Sequence, residues 1–209
     1  MTLYYRKYDN YEEYLKHQSA KLKKMLSKKN KKTKIVWPEC FHKRVRYFIA
    51  HLKPFCRYLI KGKVLCLGAR TGAEVRAFIN LGFKNSIGID LNPGKKNKYV
   101  IKGDFHYLPF KDNSFPNVFT NVLDHIFDIR KLSKEINRIL VNNGKFLMEI
   151  SHFLDFRDSK MKYIESSKFY ESFFFDNFEE ILEGFKEFRL IYSTEIDGKT
   201  LLVVFENVK

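Results

Sequence analysis

Residues 63–75 read Lys-Val-Leu-Cys-Leu-Gly-Ala-Arg-Thr-Gly-Ala-Glu-Val, and they indicate the kind of fold that this chain adopts. The apolar run that stops at Gly68 is typical of a strand buried on both faces of a sheet. Gly68 and Gly72 stand where a backbone must turn tightly and come close to a ligand, and a helix is predicted from Ala73. We therefore expect a strand, a glycine turn and a helix in direct succession.

The alternation of strands and helices continues along the chain. The pattern predicts helices over Ala73–Leu81 and Ile129–Leu140, and strands over Ser86–Asp90, Tyr99–Gly103, Asn117–Asn121 and Gly144–Ile150. Such alternation is typical of a mostly parallel sheet with helices on both faces. We therefore predict an α/β fold with a doubly wound, mostly parallel sheet.

The last part of the chain is expected to depart from this pattern. A helix is predicted around Ser167–Glu183, followed by strands over Phe188–Ser193 and Thr200–Glu206. Asp197 and Gly198 between these strands form a hairpin turn signal. The sheet should therefore finish with an antiparallel pair.

The first part of the chain is predicted to be a helical, lysine-rich extension over residues 1–61, ahead of an α/β domain over residues 62–209. Its first helix is expected to follow Asp9 or Asn10, either of which can cap it. Pro38 should break the chain, and a helical pattern resumes over Phe41–Ile60.

The charge of the chain is strongly positive. Its 209 residues carry a net charge of +15, and eight lysines lie between residues 21 and 34 without an acidic residue among them. Clustered lysines attract phosphate groups, which favours a phosphate-bearing acceptor or another polyanion. A solvated helix end, in a chain with the codon usage of an AT-rich genome, is an equally good explanation, so both interpretations remain open.

Cysteine and histidine spacing predicts neither a metal site nor a disulfide framework. Cys40, Cys56 and Cys66 lack CxxC spacing, and the histidines lack HxH or HExxH pairs. No apolar run approaches the roughly 20 residues that span a bilayer, and the N-terminus lacks the apolar stretch of a secretory signal. An intracellular, cytoplasmic protein without membrane contact is expected.

Asp90 ends the second predicted strand, where a carboxylate can accept hydrogen bonds from ribose hydroxyl groups. A glycine turn followed by such an acid indicates an adenosine-type cofactor. A dinucleotide is less favoured, because the turn has GxxxG rather than GxGxxG spacing. A structural turn beside an unrelated surface aspartate is the alternative interpretation.

Four segments together resemble the type 11 family of class I S-adenosylmethionine-dependent methyltransferases. VLCLGARTGAEV (64–75) resembles the first family motif, VLDLGCGTG, and IGIDLNP (87–93) resembles the second. Residues 101–128 resemble the third and fourth motifs, and INRILVNNGKFLMEIS (136–151) resembles the helix, turn and fifth strand. The similarity covers about residues 62–152 in family order. It implies a Rossmann-like sheet of seven strands in the order 3-2-1-4-5-7-6, with the N-terminal helices over the cofactor as a lid.

The resemblance also implies which residues bind S-adenosylmethionine. They are Gly68, Ala69, Arg70 and Gly72 at the methionine part, Asp90 at the ribose, Leu91, Asp104 and Phe105 at the adenine, and Asn121 and Leu123 beneath the sulfonium. Two of the chain's residues depart from the family pattern. Cys66 replaces the acidic residue of the first motif, which removes the usual carboxylate near the methionine amino group. Arg70 replaces a loop glycine and adds a charge beside a cationic cofactor.

Asp124 and His125 are the candidate catalytic residues. They follow the fourth predicted strand, on the rim where strand ends open onto ligand clefts in α/β sheets. His125 would act as a base on the acceptor, with Asp124 orienting it or binding the acceptor. A structural role for His125 against the cofactor pocket is an equal alternative. Glu149 and His152, around the end of the fifth strand, are candidates of second rank.

The sequence thus predicts an S-adenosylmethionine-dependent methyltransferase with an unidentified, phosphate-bearing acceptor. A nucleic acid and a nucleotide-linked or sugar-like small molecule stay open as acceptors, and a protein or lipid is a further alternative. A catalytically inactive binding module or scaffold, including an RNA-binding one, is the alternative function.

Overall fold

The structure, a computed structural model, describes residues 8–27, 37–94, 96–151, 178–196 and 200–209. Its helices are α1 (Tyr11–Ser27), α2 (Trp37–Leu52), α3 (Ala73–Asn80), α4 (Ile129–Ile139) and α5 (Phe178–Gly184). Its strands are β1 (Val64–Leu67), β2 (Ile87–Asp90), β3 (Val100–Lys102), β4 (Phe115–Thr120), β5 (Leu140–Ser151), β6 (Phe188–Ile196) and β7 (Thr200–Asn207). Short 3₁₀ turns follow α2 at Lys53–Tyr58 and β4 at Leu123–His125.

The strands form one seven-stranded sheet in the order β3-β2-β1-β4-β5-β7-β6. Strands β1 to β5 pair in parallel, whereas β7 pairs antiparallel with both β5 and β6. This arrangement confirms the predicted doubly wound sheet, its strand order and its antiparallel end. The order reverses beside β1, where parallel sheets open a cleft beyond the carboxyl ends of their strands.

Helices cover both faces of the sheet because its central strands are apolar on both sides. Leu65 and Leu67 of β1 belong to a core cluster with α4 and α5, whereas Val64 and Cys66 belong to a second cluster with α2 and α3. All four β1 residues are buried. This burial explains why the strand appears in the sequence as a continuous apolar run rather than as an alternating one.

Some element boundaries differ from the sequence prediction. Strand β5 begins at Leu140 rather than Gly144, directly after α4, because Leu140 pairs with Phe115 before the ladder shifts register. Helix α2 begins at Trp37 rather than Phe41, so Pro38 lies inside the first helical turn instead of breaking the chain. The first turn tolerates proline because its missing N–H would have no helical acceptor there.

Helix α1 is present as predicted and is capped by Asn10. The Asn10 Oδ1 atom accepts a hydrogen bond of 3.0 Å from the backbone N–H of Glu13. The Glu13 carboxylate accepts a hydrogen bond of 2.7 Å from the backbone N–H of Asp9. These two bonds set where the helix starts, and Tyr14 on its inner face is 1% exposed.

Several predicted features lie outside the described residues. They are most of the lysine cluster of residues 21–34, residue His152, the turn at Asp197 and Gly198, and the first part of the helix around Ser167–Glu183. The division of the chain at residues 61 and 62 stays a prediction. Within the ranges that the structure covers, no helix is long and apolar enough to cross a membrane, and no cluster of three or more His, Cys, Asp or Glu could hold a metal ion.

Candidate cofactor and active site

A cleft of about 440 Å³ opens at the carboxyl ends of β1, β2 and β4. Its volume falls within the range of ligand pockets. The cleft is lined by nine of the residues that the sequence predicted for the site, which are Gly68, Ala69, Arg70, Asp90, Leu91, Phe105, Asn121, Asp124 and His125. Segments far apart in the chain therefore meet at one edge of the sheet.

The glycine turn between β1 and α3 forms the floor of the cleft. Gly68 has a φ of +68° and Gly72 a φ of +83°, which favour glycine because they lie in the left-handed region. A Cβ atom at Gly72 would lie 2.7 Å from the Cβ of Tyr99. Gly72 therefore shapes the turn from behind and is not among the residues that line the cleft.

Asp90 ties the end of β2 to the glycine turn. Its Oδ2 accepts a hydrogen bond of 3.1 Å from the backbone N–H of Arg70, and its Oδ1 accepts one of 2.6 Å from Asn92. Burial raises the pKa of Asp90, although both of these bonds act to lower it. Each carboxylate oxygen can accept a second hydrogen bond, so the group can also serve a bound hydroxyl.

Two guanidinium groups line the cleft. Burial lowers the pKa of Arg70, opposed by the charge of Asp90 and reinforced by that of Arg44. Arg44 comes from α2, where its side chain is 56% exposed, and its Nη2 donates a 3.0 Å hydrogen bond to Glu74 Oε1. The cleft therefore presents positive charge from two separate elements.

Glu74 lines the cleft from the first turn of α3 and is only 3% exposed. Burial raises its pKa, although Arg44 and the neighbouring Asn121 act to lower it. Burial raises the pKa of the Cys66 thiol, and the charge of Glu74 reinforces this rise. A carboxylate thus stands near the position where the family motif has an acid and this chain has Cys66.

The predicted adenine residues lie where α1 approaches the sheet. Phe105 lines the cleft, whereas Asp104 is occupied by other contacts. The Tyr11 hydroxyl donates a hydrogen bond to Asp104 Oδ2, and the backbone N–H of His106 donates one of 2.8 Å to Oδ1. Leu123 is 2% exposed and packs in the core. Neither Asp104 nor Leu123 is among the residues that line the cleft.

The Asp124 and His125 side chains lie together on the rim. Asp124 Oδ2 is 3.7 Å from His125 Nδ1, which is within ion-pair distance, and both side chains are about one-third exposed, at 37% and 32%. The backbone carbonyl of His125 accepts hydrogen bonds from the Tyr14 hydroxyl at 3.0 Å and from Gln18 Nε2 at 3.5 Å. Helix α1 therefore borders the cleft beside the candidate base.

Glu149 is buried away from this rim. Its Oε1 accepts a hydrogen bond of 2.9 Å from the Tyr47 hydroxyl, and its Oε2 is 3.9 Å from His51 Nδ1. Both partners lie on α2. Glu149 is not among the residues that line the cleft, although the sequence placed it near the end of β5.

Seven further residues line the cleft, which are Tyr14, Gln18, Arg44, Thr71, Glu74, Asn92 and Val122. Glu74 carried a usable signal, because an acid directly after a glycine turn lies beside any ligand of that turn. Tyr14 carried none, because its place in the site depends on how α1 packs.

The fold and the cleft define a Rossmann-like protein of the nucleoside-binding class. A glycine turn after β1 and a carboxylate at the end of β2 lie at the reversal point of the sheet, which is the usual ligand position in this class.

Comparison with known proteins shows similarity to methyltransferases over the central part of the chain. Residues 65–148 match the type 11 family described as "Methyltransferase domain". The chain is 32% identical over 146 residues to the uncharacterized protein MJ0638 of Methanocaldococcus jannaschii, covering 65% of this chain and 55% of that protein. It is 25% identical over 149 residues to MJ1252 of the same organism, covering 67% and 53%. The chain thus spans about half the length of the curated relatives it matches.

Solved structures share the fold. The PH0226 protein of Pyrococcus horikoshii superposes with a TM-score of 0.63 at 20% identity, covering 78% of this chain and 90% of that one. A geranyl diphosphate C-methyltransferase of Streptomyces coelicolor, solved with Mg²⁺, geranyl diphosphate and S-adenosylhomocysteine, gives a TM-score of 0.60 at 12% identity over 76% and 77%. The family match over residues 65–148 and the shared fold confirm the resemblance to class I S-adenosylmethionine-dependent methyltransferases, and they are consistent with S-adenosylmethionine as the cofactor.

The described residues fit this cofactor. S-Adenosylmethionine carries two ribose hydroxyl groups, and each oxygen of Asp90 retains the capacity to accept one further hydrogen bond. It also carries an amino acid end with both charges, and the cleft presents the carboxylate of Glu74 beside the guanidinium groups of Arg44 and Arg70. The polar groups of the cleft thus match the polar groups of the cofactor in kind.

Proposed function

We propose that this chain transfers a methyl group from S-adenosylmethionine to a nucleophilic atom of a phosphate-bearing acceptor. One arrangement carries this proposal. The His125 and Asp124 side chains, 3.7 Å apart, share a cleft with the guanidinium groups of Arg44 and Arg70. A base and the exposed guanidinium group of Arg44 in one cleft suit an acceptor that loses a proton and carries phosphate.

In this proposal the cofactor is held mainly by the sheet edge. Asp90 accepts hydrogen bonds from the ribose hydroxyl groups, and Leu91 and Phe105 lie against the adenine. Asp104 accepts a hydrogen bond from the adenine amino group once the Tyr11 hydroxyl no longer bonds it. The backbone of Gly68 and Ala69 holds the methionine part, Arg70 faces its carboxylate, and Asn121 lies beneath the sulfonium. When bound, S-adenosylmethionine supplies an electrophilic methyl group on a neutral leaving group.

The residues of the rim would then act on the acceptor. His125 takes a proton from an oxygen or nitrogen nucleophile, and Asp124 stabilises the imidazolium that results. The methyl donor needs little further assistance, so aligning the acceptor with the sulfonium is the main task of the protein. Arg44 is the more exposed of the two arginines and is suited to hold an acceptor phosphate at the mouth of the cleft.

Helix α1 would close over the bound cofactor as a lid. Tyr14 and Gln18 both bond the backbone carbonyl of His125, and the Tyr11 hydroxyl bonds Asp104. Tyr11 and Tyr14 also pack against the ring of Phe127, with ring centroids 5.1 and 5.4 Å away. A closed helix at this place keeps water from the reacting atoms and orders both ends of the cofactor site.

Labelling of a cell extract tests the acceptor class. The purified protein and S-adenosylmethionine with a tritiated methyl group are incubated with separate polynucleotide and small-molecule fractions. Label that nuclease releases from the first fraction, or that phosphatase pretreatment prevents in the second, supports a phosphate-bearing acceptor and tells which kind it is. Label that neither treatment changes rejects it. S-Adenosylhomocysteine binding without labelling of either fraction would favour the inactive binding module.

A further inference from the structure

Two side chains that line the cleft each carry a buried acceptor atom without a donor. Glu74 Oε2 and Asn121 Oδ1 are both buried and have no hydrogen-bond partner of good geometry among the described residues. The other oxygen of Glu74 accepts the bond from Arg44. The two side chains are neighbours, because a hydrogen bond from the Asn121 amide group is among the causes that lower the pKa of Glu74, although Oε2 has no donor in good geometry.

Such an arrangement is unfavourable unless a ligand completes it. A buried acceptor without a donor costs about 1–3 kcal/mol, and more when it is charged. A second acceptor beside it cannot satisfy the first. A group with several N–H donors and a positive charge satisfies both atoms at once and also offsets the charge of Glu74, whereas a neutral donor supplies the hydrogen bonds alone.

The contact with Arg44 does not explain the position of Glu74. That bond ties α2 to α3 through Oε1 alone, from an arginine whose side chain is 56% exposed. An acid in the first turn of a helix is favourable on the surface through the helix dipole, but Glu74 is buried in the wall of a cleft. Burial raises the pKa of Glu74 although Arg44 acts to lower it, so the bond from Arg44 does not fully offset the cost of burying this carboxylate.

We infer that Glu74 and Asn121 form the binding site for the α-ammonium group of the methionine part of the cofactor. This assignment rests on the proposed binding of S-adenosylmethionine in the cleft. The ammonium group offers three N–H donors and one positive charge, which suits Glu74 Oε2 and Asn121 Oδ1 together. Glu74 thus supplies, from α3, the carboxylate that Cys66 does not supply from β1.

Two ligands that differ only at the amino acid end test this assignment. S-Adenosylhomocysteine carries the α-ammonium group, whereas 5′-methylthioadenosine has the same adenosine and thioether without it. Glu74→Gln keeps the shape of the side chain and removes its charge. By calorimetry, the variant should bind S-adenosylhomocysteine about 10- to 100-fold more weakly than the wild type, with unchanged affinity for 5′-methylthioadenosine.

A charge exchange and a matched control complete the experiment. The double variant Glu74→Gln with Asn121→Asp restores one carboxylate and one amide to the pair, so it should regain most of the lost affinity. Glu135→Gln removes another carboxylate that is hydrogen-bonded to an arginine, Arg138, and should leave both affinities unchanged.

The outcomes separate this assignment from the proposed function. An equal loss of affinity for both ligands in Glu74→Gln would mean that Glu74 only shapes the cleft. This result would overturn the assignment. An affinity of Glu74→Gln for S-adenosylhomocysteine equal to that of the wild type would also overturn the assignment, but it would leave the proposed cofactor binding intact. A wild-type protein that binds neither ligand would overturn the proposed function as well.

Discussion

The hydroxyl group of Tyr14 donates a hydrogen bond of 3.0 Å to the backbone carbonyl oxygen of His125. Tyr14 lies on α1 and is 1% exposed, while His125 lies in the 3₁₀ turn after β4. Burial holds the pKa of Tyr14 well above its usual value, so the hydroxyl remains a donor throughout the physiological pH range. The bond therefore joins the N-terminal helix to the rim of the cleft.

Removing this hydroxyl should weaken the closed position of α1. Tyr14→Phe keeps the packed ring and removes the shorter of the two bonds described at the His125 carbonyl. We expect S-adenosylhomocysteine to bind about 2- to 10-fold more weakly, chiefly through faster dissociation, which stopped-flow fluorescence can measure. Tyr192→Phe, on β6 away from the cleft, is the control and should bind normally. If S-adenosylhomocysteine dissociates from Tyr14→Phe at the wild-type rate, helix α1 does not act as a lid.

Asp90 is expected to account for a large part of cofactor affinity. Asp90→Ala removes the acceptor for the ribose and also two backbone bonds of the glycine turn. S-Adenosylhomocysteine should bind about 1–3 kcal/mol more weakly in calorimetry. Asp112→Ala, which removes an exposed partner of Arg138, is the control and should leave this affinity as it is. A wild-type protein that bound NAD and ignored S-adenosylhomocysteine would contradict the cofactor assignment.

His125 should act on the acceptor rather than on the cofactor. His125→Ala is expected to lower kcat by about 10²- to 10⁴-fold, the usual contribution of a general base. The dissociation constant of S-adenosylhomocysteine should change little, because the lost group serves only the transition state. His42→Ala on the exposed side of α2 is the matched control. If turnover survives in His125→Ala, the residue has a structural role.

The raised pKa of Glu74 makes a prediction about the stability of the cofactor-free protein. The folded protein holds the Glu74 proton more tightly than the unfolded chain does, so this contribution to stability is complete below the unfolded pKa. It is lost as the pH rises through the higher folded value. Glu74→Gln should therefore have a larger free energy of unfolding than the wild type at pH 8, and the difference should shrink toward pH 4.

Glu135 provides the opposite case. Urea titrations at pH 4 and pH 8 measure the free energy of unfolding of the wild type and of both variants. The pKa of Glu135 is lowered, first by the hydrogen bond from Arg138, so its contribution to stability is present at neutral pH and is lost as the pH falls through the lowered value. Glu135→Gln should therefore be less stable than the wild type at pH 8. Equal stabilities for wild type and Glu74→Gln at pH 8 would contradict the electrostatic account of that site.

The lysine cluster of residues 21–34 should report whether the acceptor is a polynucleotide. Replacing Lys23, Lys24, Lys28 and Lys29 with Gln should weaken binding to all sequences and flatten its salt dependence. Each lost phosphate contact removes about 0.9 from the log-log slope on duplex DNA and about 0.7 on single strands. Filter binding between low and physiological salt measures this slope. If the wild-type protein binds neither RNA nor DNA, a polynucleotide acceptor is excluded and a small phosphorylated acceptor is favoured.

The sheet was predictable because its signals are local. The apolar run at 63–68 must be a buried strand, and the glycines that follow permit backbone angles that other residues adopt only with strain. The start of β5 was predicted too late, because the pairing of Leu140 with Phe115 depends on a neighbouring strand and leaves no mark on the sequence around Asn142. The predicted break at Pro38 was wrong for a similar reason, since the neighbouring residues do not show that Pro38 lies in the first turn of α2.

The cleft was predictable only where its residues follow strand ends. Gly68, Asp90 and His125 could be assigned from the sequence, because the carboxyl ends of parallel strands must meet at one edge of the sheet. Arg44 and Glu74 are 30 positions apart, and Tyr14 and His125 are 111 positions apart. Such contacts follow from how α1 and α2 pack on the sheet, so only the folded chain joins Arg44 to Glu74 and brings the hydroxyl of Tyr14 to the cleft.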